Sequence, residues 1–371
     1  MVYRVSFSLK NRSKNNKMSK FFSKKYKNLV PYVPGEQPKD NQYIKLNTNE
    51  SPYPPSEKAS ALAGEYAKKL NLYPDPTMSI LTGDLAELLG VEKNQVLLTN
   101  GSDEILNFAF MAFCDEENPA VFPDISYGFY NVFAQINNIP YEEIPLCDDF
   151  TINTEDYIGI GKTIFIANPN APTGIALSLS EIEEIVKSNP ENVVVIDEAY
   201  VDFGAESAVA LVDKYPNLLV TQTFSKSRSM AGARLGFGVA NAELIADLNA
   251  VKYSTNPYNI NSMTMAAGIG CVADEEYTRA NCRKIEEARA YTKTELEKLG
   301  FFCTDSKTNF VFAKHPEISG EEIYTKLRKN GILVRHFSDA KIADFNRITI
   351  GTMEQMQILC DTMRKIIQGE E

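Results

Sequence analysis

Between about residues 90 and 240 the chain repeats short apolar runs, each closed by polar or turn-forming residues. Val96-Leu-Leu-Thr99, Ala120-Val-Phe122, Thr163-Ile-Phe-Ile-Ala167, Val193-Val-Val-Ile196 and Leu218-Leu-Val-Thr221 are short and almost continuously apolar. Runs of that length and character read as strands buried on both faces. Helical spacing lies between some of them, at Ser180–Lys187 and at about Asp103–Cys114, where the Asn100-Gly101-Ser102 turn leads in. Alternating strands and helices predict βαβ units and a mostly parallel sheet. Upstream, Pro31 to Pro38 reads as an extended proline-rich arm that continues through Leu46–Pro55. Ser56 is placed to cap a helix running from about Glu57 to Leu70.

The pattern changes after about residue 270. A long charged amphipathic helix, about Glu275–Leu299, leads to a strand at Asn309–Ala313. Another helix precedes a strand at Gly331–Arg335; a strand at Arg347–Ile350 and a final helix to about Gln368 follow. The expectation is an α/β protein. It has a large domain over 71–269 and a smaller α+β domain with a mixed sheet over 270–371. An arm and helix over 29–70 would join the small domain, after a basic extension over 1–28.

Composition narrows the class. With 371 residues, 44% of them hydrophobic, the chain can bury a large core in about two domains. No uninterrupted apolar run reaches membrane-spanning length. The six cysteines are scattered without a CxxC pair, which predicts reduced thiols in a cytoplasmic protein. The two histidines, His315 and His336, leave little for a His-rich metal site or a Ser/His/Asp triad, so no metal is expected. Residues 1–28 hold nine Lys or Arg and no acid, leaving 29 of the 38 basic residues against all 49 acidic ones. A body at −20 is a poor nucleic-acid binder. The basic head lacks the apolar core of a secretory signal and reads as a disordered or mis-started extension, with Met18 as an alternative start.

Several apolar runs end abruptly in reactive side chains. Val193–Ile196 ends in Asp197-Glu-Ala-Tyr200, and Leu218–Thr221 leads to Phe224-Ser225-Lys226. In an open α/β sheet, strand ends deliver residues to a ligand crevice. A Lys alone after a strand is ordinarily a surface residue. Here Lys226 is followed by Gly232-Ala-Arg234-Leu-Gly236, and an amine, a carboxylate and a phosphate-binding set together suggest pyridoxal phosphate. Asp197 would supply the counter-charge for a protonated pyridine nitrogen. Tyr200 would place a hydroxyl near the phenolic oxygen, and Tyr127 would stack on the ring. Gly101-Ser102-Asp103 opens a helix with N–H groups suited to an anion, and Ser225 and Arg234 add a hydroxyl and a cation. Arg335 and Arg347 adjoin apolar strands and offer forks for a substrate carboxylate or phosphate.

In order and spacing these pieces resemble the fold-type I, aspartate-aminotransferase-like family of pyridoxal phosphate enzymes, over roughly residues 29–371. Pro31-Tyr32-Val-Pro-Gly35, Leu46-Asn-Thr-Asn-Glu50-Ser-Pro-Tyr53, Leu72-Tyr73-Pro-Asp-Pro76, Asn100-Gly-Ser-Asp-Glu104, Asp197-Glu-Ala-Tyr200 and Arg347-Ile-Thr-Ile-Gly-Thr352 are similar to its histidinol-phosphate branch. The resemblance implies a seven-stranded, mostly parallel sheet and pyridoxal 5'-phosphate held by Lys226. Asp197 would meet the pyridine nitrogen, and Ser102, Asp103, Ser225 and Arg234 the phosphate. Tyr73 would reach that phosphate from a second subunit of a homodimer. Tyr32, Arg335 and Arg347 would face the substrate's phosphate, with Asn49 in the same substrate set. One departure stands out. The family usually carries Asn-Pro-Thr-Gly, whose Asn bonds the phenolic oxygen; this chain reads Asn168-Pro-Asn170-Ala171-Pro-Thr-Gly174, so Asn170 is the nearest substitute.

The expected reaction is transamination between L-histidinol phosphate and 2-oxoglutarate. An aromatic or broad-range aminotransferase, or a phosphothreonine-type decarboxylase, would use the same scaffold.

Overall fold

The computed structural model describes residues 19–27, 29–32, 34–38 and 43–370. The expectation of a disordered or mis-started head, with Met18 as a start, falls at 1–18 and 28 outside the described residues. In chain order the strands are β1 (Ile44–Lys45), β2 (Val96–Thr99), β3 (Ala120–Pro123), β4 (Tyr141–Ile144), β5 (Thr163–Ala167), β6 (Val194–Asp197), β7 (Leu218–Thr223), β8 (Gly236–Ala240), β9 (Phe302–Cys303), β10 (Phe310–Lys314), β11 (Ile332–Leu333), β12 (Arg335–His336) and β13 (Phe345–Thr349). The helices are α1 (Glu57–Ala67), α2 (Ser79–Leu89), α3 (Ser102–Phe113), α4 (Tyr130–Asn137), α5 (Leu179–Ser188), α6 (Ala242–Thr255), α7 (Ser262–Val272), α8 (Glu275–Lys298), α9 (Gly320–Lys329) and α10 (Met353–Gln368).

Seven strands form one sheet in the order β2-β8-β7-β6-β5-β3-β4. The neighbours β4, β3, β5, β6 and β7 run parallel, and β8 is antiparallel to both β7 and β2. Alternate residues of the buried strands feed two separate cores. Val121, Ile164, Val194, Ile196 and Val220 pack with Leu85 of α2, Ile182 of α5 and Met265 of α7. On the other face Phe122, Phe165, Val195 and Leu219 pack with Phe110 of α3, Phe133 of α4 and Leu248 of α6. The continuous apolar runs noted in the sequence are the consequence of this two-sided burial.

The C-terminal part builds a second core. Strands β12-β13-β10-β9 form an antiparallel sheet. Val311 and Ile348 from it pack with Ile285 of α8, Leu327 of α9 and Met356 and Leu359 of α10. The expected mixed sheet is therefore two units: the antiparallel sheet and a separate parallel pair, β1–β11. The single strand expected over Gly331–Arg335 divides for the same reason. Its first half pairs with β1 and its second half with β13, so the main chain changes partner at Val334.

The arm and the helix after it also part company. Ile44–Leu46 joins the small domain through β11, with Leu46 in its core. Helix α1, expected to join the small domain too, packs against α7 and puts Ala59 into a core of the large sheet. Its start is as expected: the Ser56 side chain accepts from the Ala59 N–H at 3.2 Å.

Candidate active site

The register of the central strands gathers the reactive residues at one edge. Asp197 ends β6 directly beside Thr221 of β7. Past the end of β7 come Ser225 and Lys226, and Gly236 of β8 pairs with both Thr99 and Thr223. That pairing brings the Gly101–Ser102 turn against the Ser225 and Arg234 segments. Around the junction lies a cavity of about 260 Å³, lined by Lys226, Asp197, Tyr200, Ser102, Asp103, Tyr127, Ser225 and Arg234 among others. Eight residues singled out from separate stretches of sequence thus share one wall.

Backbone shape contributes to this cavity. Gly101 stands at φ 75° just before α3, and no side chain caps that helix. A Cβ on Gly101 would lie 2.5 Å from Arg234 Nη2, and one on Gly236 would lie 2.3 Å from the Ser102 nitrogen. Gly101 leaves room for the Arg234 guanidinium, and Gly236 lets β8 pass against the main chain of the turn. Arg234 Nη2 donates to Asp103 Oδ2 at 2.9 Å, and Nη1 approaches Ser225 Oγ at 3.5 Å. The Tyr127 hydroxyl donates to the other Asp103 oxygen at 2.6 Å. The result is a cation, a hydroxyl and helix N–H groups around one point, as an anion requires.

Asp197 is buried, with the Tyr130 hydroxyl donating to Oδ2 at 3.0 Å and the Thr221 hydroxyl to Oδ1 at 3.3 Å. Burial pushes its carboxyl up to about 6, with Tyr130 pulling the other way. Burial and the Asp197 charge hold the Tyr130 hydroxyl protonated well above its ordinary value. A carboxylate in this setting is poised for a cationic partner. Lys226 Nζ lies 3.5 Å from the Thr48 carbonyl and 5.7 Å from the centre of the Tyr200 ring. Glu50, paired with Lys45, lines the same cavity. A protonated ring nitrogen, an aldehyde and a phosphate on one small molecule would each find a matching group here.

A second cavity of about 390 Å³ adjoins the first and shares Thr48, Tyr127, Ala171, Tyr200 and Lys226 with it. Tyr32, Asn49, Arg335 and Arg347 all line it. Arg335 and Arg347 are direct cross-strand partners of β12 and β13. The Arg347 guanidinium donates to the Asn47 carbonyl at 3.2 Å, while its buried Nε has no protein partner. Tyr32 packs on Phe129 with ring centres 4.3 Å apart.

Two expectations change. Asn170 does not line either cavity. Its amide donates to the Ile125 carbonyl at 2.9 Å and to Thr173 at 3.1 Å, and its oxygen accepts from Ser126 at 2.8 Å. Alternation along the chain turns Asn170 inward to hold the loop and leaves Ala171 on the cavity wall. Asn49 does line the second cavity, but its amide donates to the Tyr200 hydroxyl at 2.9 Å, so that part of the side chain is already engaged. Tyr73 lies in neither cavity of its own chain. It is 82% exposed and stacks on Tyr258 at 4.6 Å. Tyr130, Thr48 and Glu50 were not singled out from sequence. Tyr130 meets Asp197 across 67 residues of sequence, a contact that leaves no local signal.

Residues 41–363 match the family model described as aminotransferase class I and II, and the chain belongs to that family. Within it, the histidinol-phosphate aminotransferase of Brachyspira hyodysenteriae is 49% identical over 95% of this chain and 100% of its own length. Among solved structures, the histidinol-phosphate aminotransferase from Clostridium acetobutylicum superposes with a TM-score of 0.82 at 25% identity, covering 88% of this chain and 99% of that one. The Sinorhizobium meliloti histidinol-phosphate aminotransferase, solved in complex with pyridoxal-5'-phosphate, shares the fold at a TM-score of 0.85 and 22% identity, over 95% and 99% of the two chains.

Proposed function

We propose that this chain catalyses pyridoxal 5'-phosphate-dependent transamination, converting L-histidinol phosphate and 2-oxoglutarate to imidazole-acetol phosphate and L-glutamate in histidine biosynthesis. The observation that carries the reading is the cross-strand pair Arg335–Arg347, which opens into a cavity continuous with Lys226. A fork of two guanidinium groups, one with an unmatched buried Nε, suits a dianionic phosphate and also accepts a carboxylate. The near-full-length similarity to relatives of that name supports the same substrate.

When bound, the cofactor supplies an aldehyde that takes up the amino group and a ring that withdraws electrons from Cα. Lys226 would hold the aldehyde end, and its amine would move the proton at the substrate's Cα. Asp197 would meet the ring nitrogen and keep it protonated. Ser102, Asp103, Ser225 and Arg234 would hold the phosphate, with Asp103 orienting the Arg234 fork. Tyr127 would stack on the ring, and Tyr200 would place its hydroxyl near the phenolic oxygen. Tyr32, Arg335 and Arg347 would face the substrate's phosphate.

The enzyme acts as a homodimer in the cytoplasm. Leu70, Leu72, Tyr73 and Ile80 are exposed apolar residues close together in sequence, beside a groove that Tyr73 lines. A second copy covering them would carry Tyr73 toward the neighbouring phosphate site. The cysteines of the described residues are all free, consistent with a reducing compartment. A half-reaction screen of amino donors tests the assignment. Histidinol phosphate is expected to convert the cofactor fastest; tyrosine or phenylalanine outperforming it would replace this reading with an aromatic aminotransferase.

A further inference from the structure

Asn49 sits at φ 56°, a left-handed conformation that only a few residue types accept. Its surroundings explain why it is held there. The Asn49 main-chain N–H donates to Thr349 Oγ1 at 2.9 Å. The Thr349 hydroxyl donates in turn to Asn49 Oδ1 at 2.9 Å. The Asn49 amide Nδ2 then donates to the Tyr200 hydroxyl at 2.9 Å. Asn309 Nδ2 donates to the Asn49 carbonyl at 3.0 Å, fixing the same residue from β10's leading edge.

The donors in this chain all point one way. Thr349 Oγ1 must accept from a main-chain N–H, which has no alternative role, so its own proton has to leave toward Asn49 Oδ1. Turning the amide over would strand that buried hydroxyl proton and make Tyr200 the donor to Asn49. Because Tyr200 accepts from Asn49, its proton is free to be donated into the cavity that Lys226 shares. On the wall of that cavity Ala171 has no side-chain donor, while the Tyr200 ring lies beside Lys226 and brings its hydroxyl to the same wall.

We propose that Asn49 is a positioning residue that sets the direction of the Tyr200 hydroxyl, so that Tyr200 serves as a hydrogen-bond donor to the anionic phenolic oxygen of the bound cofactor. Thr349 is the residue that sets Asn49. Since Thr349 ends β13, the strand that also carries Arg347, the substrate end and the cofactor end of the site hang on one strand. The inference rests on the proposed cofactor and on Tyr200 lying at its phenolic oxygen.

A donor at that oxygen stabilises its anion and weakens its hold on a neighbouring proton. Losing the donor raises the pH at which the visible band of the holoenzyme titrates. The other titratable and charged groups around the site, Glu50, Asp103, Tyr127, Asp197, Lys226 and Arg234 at the cofactor end and Tyr32, Asp124, Arg335, Asp339 and Arg347 at the substrate end, are not substituted in the variants below.

The test is a spectrophotometric pH titration of the purified holoenzyme. Asn49→Gly keeps the backbone at ease at positive φ and removes the amide. Asn49→Asp keeps the shape but offers Tyr200 an acceptor. Both are expected to raise the midpoint, by roughly half to one pH unit for Asn49→Gly, the worth of one hydrogen bond, and further for Asn49→Asp. Thr349→Val should move it in the same direction by less. Midpoints unchanged in Asn49→Gly and Asn49→Asp, with the band intact, would overturn the inference and leave the proposed function standing. A wild-type protein that shows no visible band after incubation with pyridoxal phosphate would overturn both.

Discussion

At the residue scale the site is a set of side chains held in states they would not choose in water. Asp197 is the clearest case. Its carboxyl is raised to about 6 from 3.8, chiefly by burial. A raised carboxyl contributes most to stability in its neutral form below pH 4, and that contribution is lost as pH rises through 6. Cofactor-free protein therefore carries a buried charge at pH 8 that costs up to on the order of 3 kcal/mol. Asp197→Asn is expected to melt higher than the wild type at pH 8 without cofactor, with the gain shrinking toward pH 5, while binding pyridoxal phosphate far more weakly. Equal melting temperatures at pH 8 would contradict the assignment. Glu198, pushed up to about 7 by burial, is present in both proteins and leaves the comparison intact. Lys226 gives a second test: borohydride should fix pyridoxal phosphate covalently to the wild type, and Lys226→Ala should show neither that link nor turnover.

At the scale of elements, the site depends on how closely β8 approaches the start of α3. Gly236→Ala places a Cβ against the Ser102 nitrogen and the Gly101 carbonyl carbon, both main-chain atoms that cannot rotate away. The substitution is expected to cost about 1–3 kcal/mol in stability and to weaken cofactor binding, read by denaturant melts and by titration of the visible band. Unchanged affinity would mean that the turn is not the phosphate site. Much of this scale was legible in the sequence, because a strand buried on both faces must be a continuous apolar run, and a polar residue at its end has to face a crevice. Asp197, Ser225 and Lys226 were readable for that reason. Asn170 was misread because one residue of alternation decides whether a side chain faces a cavity or its own loop. The Arg335–Arg347 pairing was hidden for a different reason. Strand β12 is two residues long, and its register with β13 is set by the break at Val334 rather than by any pattern of its own.

At the scale of the molecule, the large sheet supplies Lys226 and Asp197, the small domain supplies both arginines, and the segment 44–50 runs between them through β1, Thr48 and Asn49. The site is therefore divided between the two domains. The proposed dimer divides it further. If Tyr73 crosses to the neighbouring chain, Tyr73→Ala is strongly impaired by itself. Mixing it with inactive Lys226→Ala should then restore part of the activity, because one hybrid site has both residues intact. No recovery after demonstrated subunit exchange would place Tyr73 outside the partner's site.

Whether Arg335 and Arg347 hold the substrate's phosphate is tested most directly by the specificity ratio between histidinol phosphate and histidinol. Measured as kcat/KM in the wild type and in Arg347→Ala, the phosphate is expected to favour the wild-type reaction by roughly 30- to 1000-fold, or ~2–4 kcal/mol. Arg347→Ala should erase most of that preference and also slow the glutamate half-reaction. A wild-type ratio near one, or a ratio that survives the loss of Arg347, would contradict it.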